Sequence, residues 1–293
     1  MKNMTVKATG MAIAMLLALP AISMAQTMGQ GTGQSSGMGQ SSGQMGTPPN
    51  KQQAPPDSKQ AAPAAPGALD PKEEEAFKKV STMTMAKPDE VARAGESFAK
   101  TYPNSNHLET VYSILATAYM QLNEPKNLMK YGNETLRMNP NNVDGLAVMT
   151  VSTARTIDPS QAQDAKNKEK MVDDWGGKCI KTLQELIKPD GVTDADFTRS
   201  RDGKMALCYS GLGLAAHYEG KAADAVKYFS MATKLEGTQA DPVDLFLLGV
   251  ALTTNKQYPE AMTALQACIK DGDPGMTPRC QDQLNEAKRL AKQ

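Results

Sequence analysis

The stretch YSGLGLAAHYEGKAADAVKYFSMA, residues 209–232, decides the fold. Tyr209, Leu212, Gly213 and Ala216 recur at helical spacing; Gly220 then breaks the pattern, and Ala225, Phe229 and Ala232 resume it on a second helix. Two short amphipathic helices joined at a glycine make a helix hairpin. A small residue such as Gly213 belongs where two helices cross, because only a small side chain lets ridges settle into grooves at close range. The next stretch repeats the pattern with Leu245, Leu248, Gly249, Leu252, Tyr258, Ala261, Leu265 and Cys268. An earlier one carries Tyr112, Leu115, Ala116 and Tyr119, with Pro140 closing it.

Helix pairs set on one another start at residues 72, 109, 143, 206 and 242, with a last helix near 276, so the spacings are 37, 34, 63, 36 and 34. A period of about 34 residues in helix pairs is a solenoid signature. On these residues the chain resembles the tetratricopeptide repeat (TPR) family, and Tyr102-Pro103-Asn104-Ser105 is similar to a turn common in its exported bacterial members. The resemblance implies an all-α fold: a superhelical stack of about five helix hairpins and a C-terminal capping helix over residues 71–293. Ala116, Gly213, Gly249, Ala225 and Ala261 are its expected helix-crossing residues.

The pattern has departures. Lys78 and Lys79 replace the Leu-small pair in the first unit, and Gly95 and Gly132 stand where an aromatic is usual, which predicts thinner packing on those second helices. The third unit, 143–205, is enlarged; a helix from roughly Pro159 to Lys188 and a surface loop from Pro189 to Arg201 account for the excess. Asp70-Pro71, Asp158-Pro159 and Asp241-Pro242 read as helix starts, an N-cap followed by proline at the first helical position.

Upstream lie two segments of other kinds. Residues 1–25 read as a signal peptide, with Lys2 and Lys7 before the apolar run Met11 to Leu19 and Ser23-Met24-Ala25 at a cleavage site. The run is short for a membrane span, although an uncleaved anchor is the alternative. Residues 26–70 are a linker in which 27 of 45 residues are Gly, Gln, Ser or Pro, with no aromatic, and they are expected to be disordered. Met28, Met38 and Met45 are too widely spaced, and too far from any His or Cys, to read as a copper site.

Charge and composition exclude other classes. Of 293 residues, 32 are basic and 32 acidic, and loss of the signal leaves a net charge of −2, which does not suit a nucleic-acid binder. Two histidines, His107 and His217, and four cysteines give no metal-ligand spacing, so no metal and no cofactor are expected. His107 is expected at an exposed helix start. Gly211-Leu-Gly213 is not a dinucleotide fingerprint, because no strand precedes it. Asp173-Asp174 and the Asp194, Asp196 pair read as a solvated helix face and a capping turn rather than acid/base or calcium ligands. No nucleophile, base and orienter occur together, so no enzyme is expected and no catalytic residue is assigned.

In an exported chain an even number of cysteines suggests disulfides. Cys179 with Cys208 and Cys268 with Cys280 fall on adjacent elements of a stacked array; four buried free thiols are the alternative. The resemblance also implies a concave groove lined by the first helix of each pair, and by register its partner-facing residues include Thr117, Met120, Val151, Leu214, His217, Phe246 and Val250. The groove has no Lys or Arg and lacks the basic clamp of chaperone-binding members. A protein or peptide segment with aliphatic anchors is the expected partner, held by a non-enzymatic scaffold in the bacterial cell envelope, periplasmic or secreted. A self-associating envelope module tethered by its linker is the second reading. The oligomeric state is left open.

Overall fold

The computed structural model describes residues 70–293. The signal peptide and nearly all of the 26–70 linker expected from the sequence lie outside those residues. Eleven α-helices follow one another: α1 (Pro71–Ser81), α2 (Pro88–Thr101), α3 (Leu108–Gln121), α4 (Pro125–Met138), α5 (Val143–Ala154), α6 (Ala162–Glu185), α7 (Asp194–Tyr218), α8 (Ala222–Glu236), α9 (Pro242–Thr254), α10 (Tyr258–Asp271) and α11 (Met276–Leu290). A 3-10 turn, Gly237–Gln239, precedes α9, and no strand occurs among the described residues.

Local chemistry starts the helices. Asp70 accepts a hydrogen bond from the Lys72 amide at 2.9 Å, Asn142 from Gly145 at 2.8 Å, and Asp241 from Val243 at 2.8 Å, each supplying an acceptor to an otherwise orphaned amide. Three hairpins turn through one left-handed residue: Asn123, Gly220 and Lys256 have φ of 54°, 75° and 61°. Behind it the same bond recurs, from Glu124 to the Tyr119 carbonyl, Lys221 to Ala216 and Gln257 to Leu252, at 3.0, 2.9 and 2.9 Å. That shared closure is the structural form of the repeat.

Each helix packs on its hairpin mate and on the next helix. Beyond that, α1, α3, α5, α7, α9 and α11 touch in succession, whereas α2, α4, α6, α8 and α10 never touch one another. The first helices therefore form a closed inner wall and the second helices stand apart on the outer face, the arrangement of a curved stack.

Gly213 and Gly249 sit at crossings as expected: a Cβ added to them lies 2.9 Å from the Phe229 ring and 2.4 Å from Leu265. Ala116, Ala225 and Ala261 are fully buried. Thinner packing at Gly95 and Gly132 is not found. Their added Cβ atoms would meet Leu115 at 2.8 Å and Met149 at 2.3 Å, because a long side chain from the following first helix fills the space an aromatic leaves. Two main clusters result, one spanning Val80 to Met149 and one spanning Leu146 to Ala287, and half-buried Trp175 packs against both.

The third unit also differs from the sequence reading. Asp158 accepts from the Ser160 amide at 2.9 Å in a turn, so α6 begins only at Ala162. The expected surface loop from Pro189 to Arg201 is mostly helix, since Thr193 accepts from the Asp196 amide at 3.1 Å and starts α7 at Asp194. Cys179–Cys208 joins α6 to α7, and Cys268–Cys280 joins α10 to α11. His107 is not exposed. Its Nε2 lies 2.7 Å from Glu74 Oε1 and its ring stacks on Phe77 at 3.8 Å, which pins α1 to the array.

Candidate protein-docking wall

The inner wall is built from the first helices, and its openness changes along the stack. In α5 every residue from Gly145 to Ala154 is buried. The reason is the approach of α7: a Cβ on Gly211 would lie 2.8 Å from Thr150 Cγ2 and 2.9 Å from the Thr150 carbonyl carbon. Val151 is 1% exposed and Leu214 6%, so these two groove candidates are core residues with no surface for a partner. Gly211 and Gly213 are both interior to α7, where one accepts α5 and the other α8.

Thr117, Met120, His217, Phe246 and Val250 keep partial exposure. The Thr117 hydroxyl donates to the Ser113 carbonyl of its own helix at 3.0 Å. Burial lowers the His217 pKa, so its imidazole is neutral at pH 7, and its ring lies 5.7 Å from that of Tyr218. Phe246 rests against both the large carboxy-terminal cluster and the small one around Cys268–Cys280. A neutral imidazole, a phenyl ring and an isopropyl group offer an apolar surface with one hydrogen-bonding tip.

Between α7 and α9 the wall is closed by polar groups. Ser210 Oγ donates to Asp244 Oδ1 at 2.6 Å, and Asp244 is 5% exposed. Nearby, Glu236 Oε2 accepts from the Asp241 amide at 3.0 Å. Burial, more than any neighbour, pushes the Asp244 carboxyl up to about 7 and that of Glu236 up to about 8, and Asp241 adds to both. Arg155, at the end of α5, draws the Asp244 value down from beyond ion-pair distance, and burial lowers its own pKa. Asp244 reads in the sequence as part of a helix-start motif; only the neighbouring hairpin's Ser210 reveals its other use. No group of three His, Cys, Asp or Glu side chains among the described residues is arranged to hold a metal ion. No described helix is long and apolar enough to cross a membrane.

No protein-family model matches the chain, and no curated protein does. Among solved structures, it is similar to a thermophilic TPR protein from Thermus thermophilus at 16% identity and a TM-score of 0.45, over 72% of this chain and 98% of that one. On its own geometry, with first helices in a continuous wall, a shared left-handed closure and small residues against large ones at the crossings, the described domain is a stack of helix hairpins, the all-α architecture expected from its sequence.

Proposed function

We propose that the chain is a non-enzymatic protein-interaction scaffold of the bacterial cell envelope that holds a peptide or protein segment on the carboxy-terminal part of its inner wall. The observation that carries this reading is the half-exposed group His217, Phe246 and Val250, left open beside a stretch of the same wall that is closed. Aliphatic side chains of an extended or helical partner fit such a surface. Export agrees with the signal-like residues 1–25 and with all four cysteines standing in disulfide pairs, which persist in oxidising compartments.

A second reading, self-association, draws on Leu186, Ile187 and Val192, exposed at the turn between α6 and α7, with Ile187 86% exposed. Cross-linking and affinity capture from oxidised envelope extracts separate the two. Discrete partners lost on Phe246→Asp with Val250→Asp support the scaffold. Concentration-dependent oligomers that persist in that variant and vanish on Ile187→Asp replace it with the second reading.

A further inference from the structure

The connection between α6 and α7 differs from the others in the array. Residues 186–193 are the longest turn between described helices. In place of the closing bond shared by three other hairpins, residues 186–192 make one backbone hydrogen bond, from the Val192 amide to the Pro189 carbonyl at 3.3 Å. Every residue from Gln184 to Ala195 is exposed, the longest such run among the described residues. Lys188 pairs with Asp194 across the turn, but both side chains are exposed and such a pair adds little. An endoprotease takes its substrate as an extended strand, so a helix or a tightly bonded turn has to open before it is cut. Here almost nothing has to open.

The side chains of the turn point to a class of enzyme. Three of the large apolar side chains exposed among the described residues, Leu186, Ile187 and Val192, lie in it. Lys188 is its one cation, and the bond after it leads into Pro189, whose nitrogen carries no hydrogen and which basic-specific endoproteases do not cut. An enzyme that takes a large aliphatic side chain beside the scissile bond fits instead. Beneath the turn the two helices are held twice. Val172 and Leu183 of α6 share one buried cluster with Met205 and Leu212 of α7, and the Cys179–Cys208 disulfide joins the same two helices. A break anywhere in residues 186–193 falls inside the loop which that disulfide closes, and none of those buried contacts passes through the turn.

We propose that this turn is a proteolytic processing site for an endoprotease that reads aliphatic residues, and that Cys179–Cys208 keeps the two products together as a single folded array. Water adds across the Glu185–Leu186, Leu186–Ile187 or Gly191–Val192 bond: the C–N bond breaks, the hydroxyl joins the new carboxyl group and the proton joins the new amine. Connectivity through the turn is all that is lost. The disulfide holds the parts at high effective concentration, so the packing of α6 on α7 persists. The site does not depend on the reading proposed for the inner wall.

The test is limited digestion of the oxidised full chain with thermolysin, which cuts before large aliphatic residues, followed by mass spectrometry; cuts upstream of residue 70 are scored separately. The first cut beyond residue 70 is expected before Leu186, Ile187 or Val192. The nicked product is expected to run as one chain in denaturing gels without reductant and as two with it, and to keep the helical circular dichroism of the intact chain. Leu186→Asp with Ile187→Asp and Val192→Asp, all at exposed positions, is expected to slow that cut about tenfold or more while leaving the dichroism unchanged. A first cut at another turn beyond residue 70, an unchanged rate in the triple variant, or loss of helical signal on nicking with the disulfide intact overturns the proposal.

Discussion

The carboxy-terminal hairpins and the amino-terminal ones solve the same packing problem with the parts exchanged. In α7–α8 and α9–α10 the hole is on the first helix, Gly213 or Gly249, and the knob comes from the second helix of the same hairpin, Phe229 or Leu265. In the amino-terminal half the hole is on the second helix, Gly95 or Gly132, and the knob arrives from the next hairpin, Leu115 of α3 or Met149 of α5. The volume at the crossing is kept and its donor is not. One half is locked within hairpins; the other is locked between them.

Truncating the knobs tests that contrast most strongly. Phe229→Ala is expected to cost about 3–5 kcal/mol and Met149→Ala about 2–5 kcal/mol, since both side chains are fully buried. Hydrogen exchange distinguishes their reach: Phe229→Ala speeds exchange in α7 and α8, whereas Met149→Ala speeds it on both sides of the α4–α5 junction. The contrast breaks if the two variants open the same helices.

The disulfides come next in size. Both lie in the carboxy-terminal half, and they close loops with separations of 29 and 12 residues. By the loop-entropy estimate they contribute about 3.6 and about 2.8 kcal/mol respectively. Calorimetry under reducing conditions, or of Cys→Ser pairs, is expected to lower the melting of that half while exchange in α2 to α4 stays as it was. Uniform loss along the array contradicts this division.

Smallest is a pH slope. The folded-state pKa values of Asp244 and Glu236 are raised, so the folded chain holds their protons more tightly than the unfolded one. Their contribution is complete below the ordinary carboxylate range near ~4 and is lost as pH rises through about 7 and 8. Urea midpoints for the carboxy-terminal half are expected to fall from pH 5 to 9, and Asp244→Asn to remove about half of that fall, the share of Glu236 remaining. An unchanged slope in Asp244→Asn assigns it elsewhere.

The exchange of parts also explains what can be read from the sequence. A small residue and its aromatic partner lie within one period in 209–232, so the motif is continuous and the hairpin legible. Where Gly132 is filled by Met149, the pair straddles two units, and the stretch looks merely degenerate. The early start of α7 rests on Thr193 and Asp196, which read as a capping turn but not as a helix, because the apolar stripe begins only near Met205. On the inner wall, register places Val151 and Leu214 toward a groove; it contains nothing about how closely α7 approaches α5 through Gly211.

Trp175 is the sole tryptophan of the chain, and it rests where the two clusters meet. Intrinsic emission therefore watches the seam rather than either end, and its shift with denaturant reports whether the array comes apart there before its ends do, or parts everywhere at once.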